Sequence, residues 1–380
     1  VTRGLAAAIA LALAGAPAPI TAGGMPEAWR APATGVGASP QPAASPERIP
    51  AFEPPPPAAV DPAARLPSGD DAAEHWDLAA HFESGHRLYL RFLITNAGPG
   101  ERSAAAFGHW IAPDGAVREF RNGRLSGRWQ LSDDGREIRI GSSQLAFRDG
   151  ERHFEVDNDK RGIKIRLDFG DDGSAQPGPA RPGGYRVDLL NLATPGAGSF
   201  WLEGMSEPRP LRGRVLLTHT WFPGPENRQV LRRIDVASLA PGPPGPRLFL
   251  SRVEPPQGAA WHWVVVGNEA GVETVSDVVL EPEERPGRSD YPIPSRIELR
   301  GKRLSGSIRL GRTRLEVDPL DALPALVRMV YSFGGRPRHL WVDSIAEVVL
   351  KSPSRDAVLR FEGAGIATLF FVDVFPPSQR

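Results

Sequence analysis

There is no cysteine among the 380 residues, which excludes disulfides, thiol nucleophiles, cysteine-ligated zinc and iron–sulfur chemistry together. Nor is either sign of charge in excess. The 45 basic residues balance 45 acidic ones, so no global field favours nucleic acid or an anionic membrane surface. Apolar stretches long enough for a spanning helix of ~20 residues are missing too. The run from Ile366 to Phe375 is interrupted by Asp373 and fits a buried strand. Several catalytic spellings are absent: G-x-S-x-G, H-E-x-x-H, G-x-x-x-x-G-K and the dinucleotide fingerprint do not occur, which disfavours the chemistries they serve.

What is present changes texture along the chain. Residues 1–23 carry an early arginine, an Ala/Leu run from Leu5 to Leu13 and small residues beyond it, the layout of a secretory signal. Export to the periplasm or cell envelope is therefore expected. Residues 24–69 are dominated by Pro and Ala, with Pro54 to Pro57 consecutive, and read as an extended linker outside the fold. From residue 70 onward, short alternating segments separated by Gly-containing turns imply an all-β antiparallel protein. The length suits two domains, expected as barrels at 70–222 and 223–380. One helical pattern interrupts the strands, Pro319 to Phe333 near the C-terminus, with Asp318 as its cap.

The hairpin register can be read directly. In "HWDLAAHFESGHRLYLRF" (from His75), Glu83-Ser84-Gly85 forms a three-residue loop with glycine at its left-handed position. Phe82 then faces His86, and Asp77 faces Arg91. Trp76, Leu78, Ala80 and Phe82 share one face with Leu88, Leu90, Phe92 and Ile94. His75, Asp77, His81, Arg87, Tyr89 and Arg91 occupy the other, which is expected to be the solvated exterior. His75 and His81 are about 20 Å apart along a strand and cannot share a metal. Asp134-Gly135 and Asp149-Gly150 set two further turns, aligning Leu131 with Ile138 and Leu145 with Phe154. Asp157, Asp159, Gly162 and Asp168 imitate a calcium loop, but Arg161 stands where an oxygen ligand belongs and a strand pattern follows. No metal and no cofactor is implied.

The apolar faces are expected to turn inward, where Trp76, Phe92, Trp110 and Trp129 fill a core or line a pocket for an apolar small molecule. "LLTHTWFPGPENR" places His219 and Trp221 on one face of a strand. A titratable group beside a large π-surface could hold or protonate a polyene, the tryptophan stabilising a developing carbocation. The bland alternative is a structural tryptophan with a hydrogen-bonded histidine. "WHW" at Trp261 to Trp263 reads as a strand with one exposed His262.

The succession "EHWDLAAHF…RFLITN", "GRWQLSDDGREIRIGSSQLAF…RHFEVDNDKRGIKIRLDF" and "THTWFPGP" resembles the bacterial lipocalin-like double-barrel superfamily that includes carotenoid 1,2-hydratases (hydroxyneurosporene synthases). The resemblance spans residues 72 to 375 and is strongest up to residue 225. It implies two lipocalin-like barrels and, at His219, Trp221 and Pro225, the His-x-Trp and proline of the hydratase active region. The Tyr-x-Asp that supplies the family's proton is missing from Pro244 to Glu254, with Glu254 a speculative substitute. Three functions stay open: binding of an isoprenoid or lipid in or between two barrels, a hydratase (hydro-lyase) or cyclase acting on a polyene, and a non-catalytic structural protein of the envelope.

Overall fold

The computed structural model describes residues 60–96, 102–181, 183–239, 245–268, 271–284, 291–318, 336–351 and 358–372. The leader-like residues, most of the Pro/Ala stretch and the helical candidate at 319–333 lie outside the described residues.

Two antiparallel sheets make up the fold. The first contains β1 (Ala73–Phe82), β2 (Arg87–Thr95), β3 (Ser103–Ile111), β4 (Val117–Arg124), β5 (Gln130–Leu131), β6 (Glu137–Ile140), β7 (Ser143–Arg148), β8 (Glu151–Asn158), β9 (Ile163–Gly170), β10 (Arg186–Leu202) and β11 (Arg209–Phe222). The second contains β12 (Arg232–Ala237), β13 (Arg247–Glu254), β14 (Trp261–Asn268), β15 (Gly271–Val275), β16 (Val278–Glu284), β17 (Pro294–Gly301), β18 (Leu304–Val317), β19 (Arg338–Lys351) and β20 (Val358–Phe371).

Both sheets follow one circuit. Each meander returns on itself, with β11 pairing to β1 and β20 to β12, which leaves consecutive strands, β4 and β5 or β15 and β16, as the free edges. Side chains reach across each gap. Asn122 on β4 donates to Ser143 Oγ on β7 at 2.8 Å, and Arg252 on β13 donates to the Leu280 carbonyl of β16 at 2.9 Å. Curling of this kind hides most of the edge that a flat sheet would expose.

Local rules set the register. Gly85 takes a φ of 80°, Phe82 N–H donates to the His86 carbonyl, and Asp77 pairs with Arg91 across β1 and β2. The Asp134-Gly135 and Asp149-Gly150 turns align Leu131 with Ile138 and Leu145 with Phe154. Trp76, Leu78, Phe82, Leu88, Phe92, Trp110, Phe120 and Phe154 turn inward and form the first core. Val236, Leu250, Val264, Ile297, Ile308 and Leu369 do the same in the second. Val60, Ala64 and Leu66, at the end of the Pro/Ala stretch, pack on the first core and so belong to the fold.

The other face of the β1/β2 hairpin is not the solvated exterior its polarity suggests: His81 and Arg87 are half-buried and the rest is covered. His75, Asp77, Tyr89 and Arg91 are buried, because the outer face of the second sheet packs over them. Tyr89 stands edge-on to Trp341 with centroids 4.9 Å apart, and Arg91 lies over the Phe370 ring at 4.9 Å. Trp261 and Trp263 turn toward this seam as well. His262, half-buried, points the opposite way and its Nε2 meets the Val278 carbonyl at 2.6 Å, so it is not the exposed histidine that the strand pattern suggested.

Candidate functional site

The β1/β11 strand pair presents chemistry on both sides. On its inner side, register brings Glu74 opposite Trp221 and Trp76 opposite His219. The His219 imidazole stacks on Trp76, with centroids 4.5 Å apart and planes 11° from parallel, and lies 4.9 Å from Trp221. Its Nε2–H donates to Glu74 Oε1 at 2.7 Å, while Nδ1 is buried without a partner. Glu74 also accepts from the backbone N–H groups of Arg65, at 2.6 Å, and Leu66, at 2.8 Å. Trp76 Nε1 donates to the Pro62 carbonyl at 3.2 Å. Residues 62–66 therefore strap the mouth of the first barrel over a Glu–His pair that has no exposed surface.

His219 and Trp221 thus come together as their spacing requires, but the surroundings redirect the reading. The guanidinium groups of Arg65 and Arg186 lie 5.1 and 5.5 Å from the Trp221 ring, so its π-surface already serves two of the protein's own cations. Trp76, Phe92 and Trp110 are each about 1% exposed and pack into the first core, with Phe92 edge-on to Phe154 and Trp110 4.7 Å from Phe200. Trp129, partly buried, packs at that core's margin and donates to the Arg102 carbonyl. Glu74 was legible in principle, as the charged residue on the otherwise apolar face of β1.

On the outer side of the same strands lies a polar cluster between the sheets. Asp77 accepts from Tyr89 OH at 2.9 Å and from Arg91 Nε and Nη2 at 2.6 and 3.1 Å. Burial raises the Asp77 carboxyl, but Arg91 and His75 outweigh it and hold the group well below the usual carboxylate range. Burial pushes the Tyr89 phenol well up. From the second sheet, Arg233 donates to Thr220 Oγ1 at 2.7 Å and pairs with Asp235, which also accepts from Ser251. Glu226, in the short turn after β11, sends its carboxyl toward Tyr185 OH (3.5 Å); burial raises this carboxyl against the pull of Arg91 and Arg233.

His75 stands out within this cluster. Its Nδ1 lies 3.1 Å from Asp77 Oδ2, and Nε2 is buried without a partner. Burial, then Arg91, lowers its pKa from 6.5 to about 4, although Asp77 opposes. Aromatic rings wall the cluster: Tyr185 stacks on Phe222 at 5.5 Å and meets Trp261 at 6.3 Å, and His75 lies 6.3 Å from Phe222. Arg233 and Asp235 had not been singled out from sequence, because they alternate with Ile234 and Val236 just as solvent-facing residues would.

No three-carboxylate or histidine group capable of holding a metal occurs among the described residues. In the calcium-like loop, Lys164 Nζ lies 3.1 Å from Asp157 and 3.0 Å from Asp159. Glu254 does not replace the missing acid. Although burial raises its carboxyl, Arg232 and Arg252 pair with it and hold it below its ordinary value.

The fold defines a class, the lipocalin-like antiparallel barrel, here built twice in one chain. No protein-family model matches the sequence, and no curated protein matches it. Solved structures do. A protein from Nitrosomonas europaea given the provisional name AttH is similar over 84% of this chain and 100% of its own, at 14% identity and a TM-score of 0.55. CghA is similar at 11% identity, over 83% of this chain and 95% of its own, with a TM-score of 0.52. The structure of CghA with Sch210972 is similar over 80% and 89%, also at 11% identity, with a TM-score of 0.50. At these identities the likeness establishes the fold alone.

Proposed function

We propose that this protein binds a small apolar molecule, such as an isoprenoid or lipid, at the seam between its two barrels. One observation carries the reading: a buried, aromatic-walled polar cluster contains an imidazole, His75, whose Nε2 has no hydrogen-bond partner. Packed hydrophobic side chains would hold two barrels together as well as buried arginines and carboxylates do, without their desolvation penalty. Strongly shifted titratable groups beside aromatic surface fit ligand recognition better. The CghA structure with Sch210972 is compatible with small-molecule binding on this fold. Export, read from residues 1–23, is part of the same proposal. The test is organic extraction of the purified protein followed by mass spectrometry, with titration of apolar fluorescent probes. A co-purifying apolar compound is expected, and its absence together with no affinity for any probe would sink the proposal.

A second reading, a hydro-lyase or cyclase acting on a polyene as in the carotenoid hydratases, draws on Glu226. A carboxyl raised by burial keeps its proton closer to neutral pH and can act as a general acid. Glu226 would protonate an alkene carbon, and water would add to the resulting cation, returning a proton to the carboxylate. His219 is less suited, because its Nε2–H is committed to Glu74 beneath the strap. Incubation with an acyclic carotenoid tests this: a tertiary alcohol formed by the wild type and lost in Glu226→Gln is expected, and no product from the wild type excludes it.

A further inference from the structure

Between β9 and β10 the chain makes a long excursion, described at residues 171–181 and 183–185, that leaves the first barrel and lies against the second. Gln176 pairs with Leu189 of β10 while its side-chain oxygen accepts from Thr274 of β15 at 3.1 Å. Asp172 pairs with Arg247 of β13 at 2.6 Å. Gly178 crosses so close to β10 that a Cβ would stand 1.8 Å from the Val187 carbonyl oxygen, with Trp263 3.6 Å away on the other side. The excursion therefore covers one margin of the seam.

At its end stands Arg181. The guanidinium lies over Trp261, 5.1 Å from the ring centre, and Nε is buried without a hydrogen-bond partner. Burial lowers its pKa, and no carboxylate offsets that effect. This distinguishes it from Arg91, Arg232 and Arg233, each of which is paired with an acid. From Arg181 a row of packed, buried rings runs inward through Trp261, Tyr185 and Phe222 to His75, each about 5 to 6 Å from the next. Gln229 packs against Gly183 of the same turn, and its side-chain oxygen is buried without a partner. A half-turn of that amide presents N–H donors instead.

We infer that Arg181 is the headgroup anchor of the seam, and that the ligand is an acidic apolar molecule: a carboxylate at Arg181 and Gln229, with a hydrocarbon body along Trp261, Tyr185 and Phe222 toward His75. The inference rests on the seam-binding proposal and adds the charge of the ligand. One guanidinium and one amide match a single negative charge. A half-buried guanidinium that has gained no carboxylate is completed by a fork of two parallel N–H···O bonds to such a head.

The experiment compares oleic acid, oleyl alcohol and hexadecyl phosphate, each below its micelle concentration, on the full chain and on Arg181→Gln, by displacement of an apolar fluorescent probe. The wild type is expected to prefer oleic acid over the alcohol by about tenfold or more, as a charge-assisted hydrogen bond implies. Arg181→Gln should abolish that preference, weakening oleic acid by about tenfold more than it weakens the alcohol. Oleic acid bound equally by wild type and variant would overturn the anchor while leaving seam binding intact. Tighter binding of hexadecyl phosphate than of oleic acid would overturn the choice of a carboxylate. No binding of any of the three by the wild type would remove both the anchor and the seam reading.

Discussion

Acid should loosen this protein, and His75 should carry a definable share of the effect. Its imidazole is 1% exposed, and burial with help from Arg91 lowers its pKa to about 4. In the unfolded chain the same group takes up its proton near the ordinary value of 6.5. The folded value is the lower one, so between those limits the unfolded chain binds more protons. The stabilisation is complete above about pH 6.5 and is lost as pH falls toward about 4. At ~1.4 kcal/mol per unit, acidification from about pH 7.5 to about pH 5 should remove about 2 kcal/mol through His75 alone. Urea unfolding followed by tryptophan fluorescence at both pH values measures the total change. In His75→Leu that change should be smaller by about 2 kcal/mol. Because the comparison is made within each protein, a uniform effect of the substitution on stability cancels. Identical pH dependence in wild type and variant would refute a buried, neutral imidazole at this position.

Three further outcomes are expected. Asp77→Ala leaves Arg91 buried without its partner and should cost about 3–5 kcal/mol in urea unfolding, while Asp77→Leu with Arg91→Met should cost less; equal losses would show that the pair is not the reason. Glu74→Ala removes the acceptor of two strap N–H groups, each bond to a charged group contributing about 1.5–3 kcal/mol. Trypsin should then cut after Arg65 at least about tenfold faster, and an unchanged rate would mean that the strap is held elsewhere. Gly178→Ala forces a Cβ into the Val187 carbonyl and should cost about 1–3 kcal/mol by overpacking. Faster hydrogen exchange at Gln176 and Leu189 would report it, and full protection there would count against the close approach.

Much of the fold was legible because its rules are local. Gly85 and the Asp149-Gly150 turn set registers within a few residues of themselves, and the alternation of Trp76, Leu78, Ala80 and Phe82 identifies an inward face without reference to the rest of the chain. The seam was hidden for the converse reason. Alternating charges on a strand look the same whether their far side meets water or a second sheet, and the decisive partners are remote: Arg87 pairs with Asp343 and Tyr89 meets Trp341. The stretch from Glu273 to Leu280 is divided between β15 and β16. There the chain passes between the free edges of its sheet, and no residue pattern announces that crossing. At the site, spacing brought His219 and Trp221 together. It could not supply Glu74, which completes the pair from the opposite strand, or the Arg65 and Leu66 amides that close it over.

Each barrel zips its last strand onto its first, so the chain leaves a unit beside the point at which it entered. Residues 223–231 suffice to pass from one unit to the next, and Glu226, which faces the seam, is among them. The connector thereby also contributes a carboxyl to the seam between the two units. Lengthening it would do more than slacken a hinge: it would shift a carboxyl away from Tyr185, altering the chemistry of the seam while leaving both barrels whole.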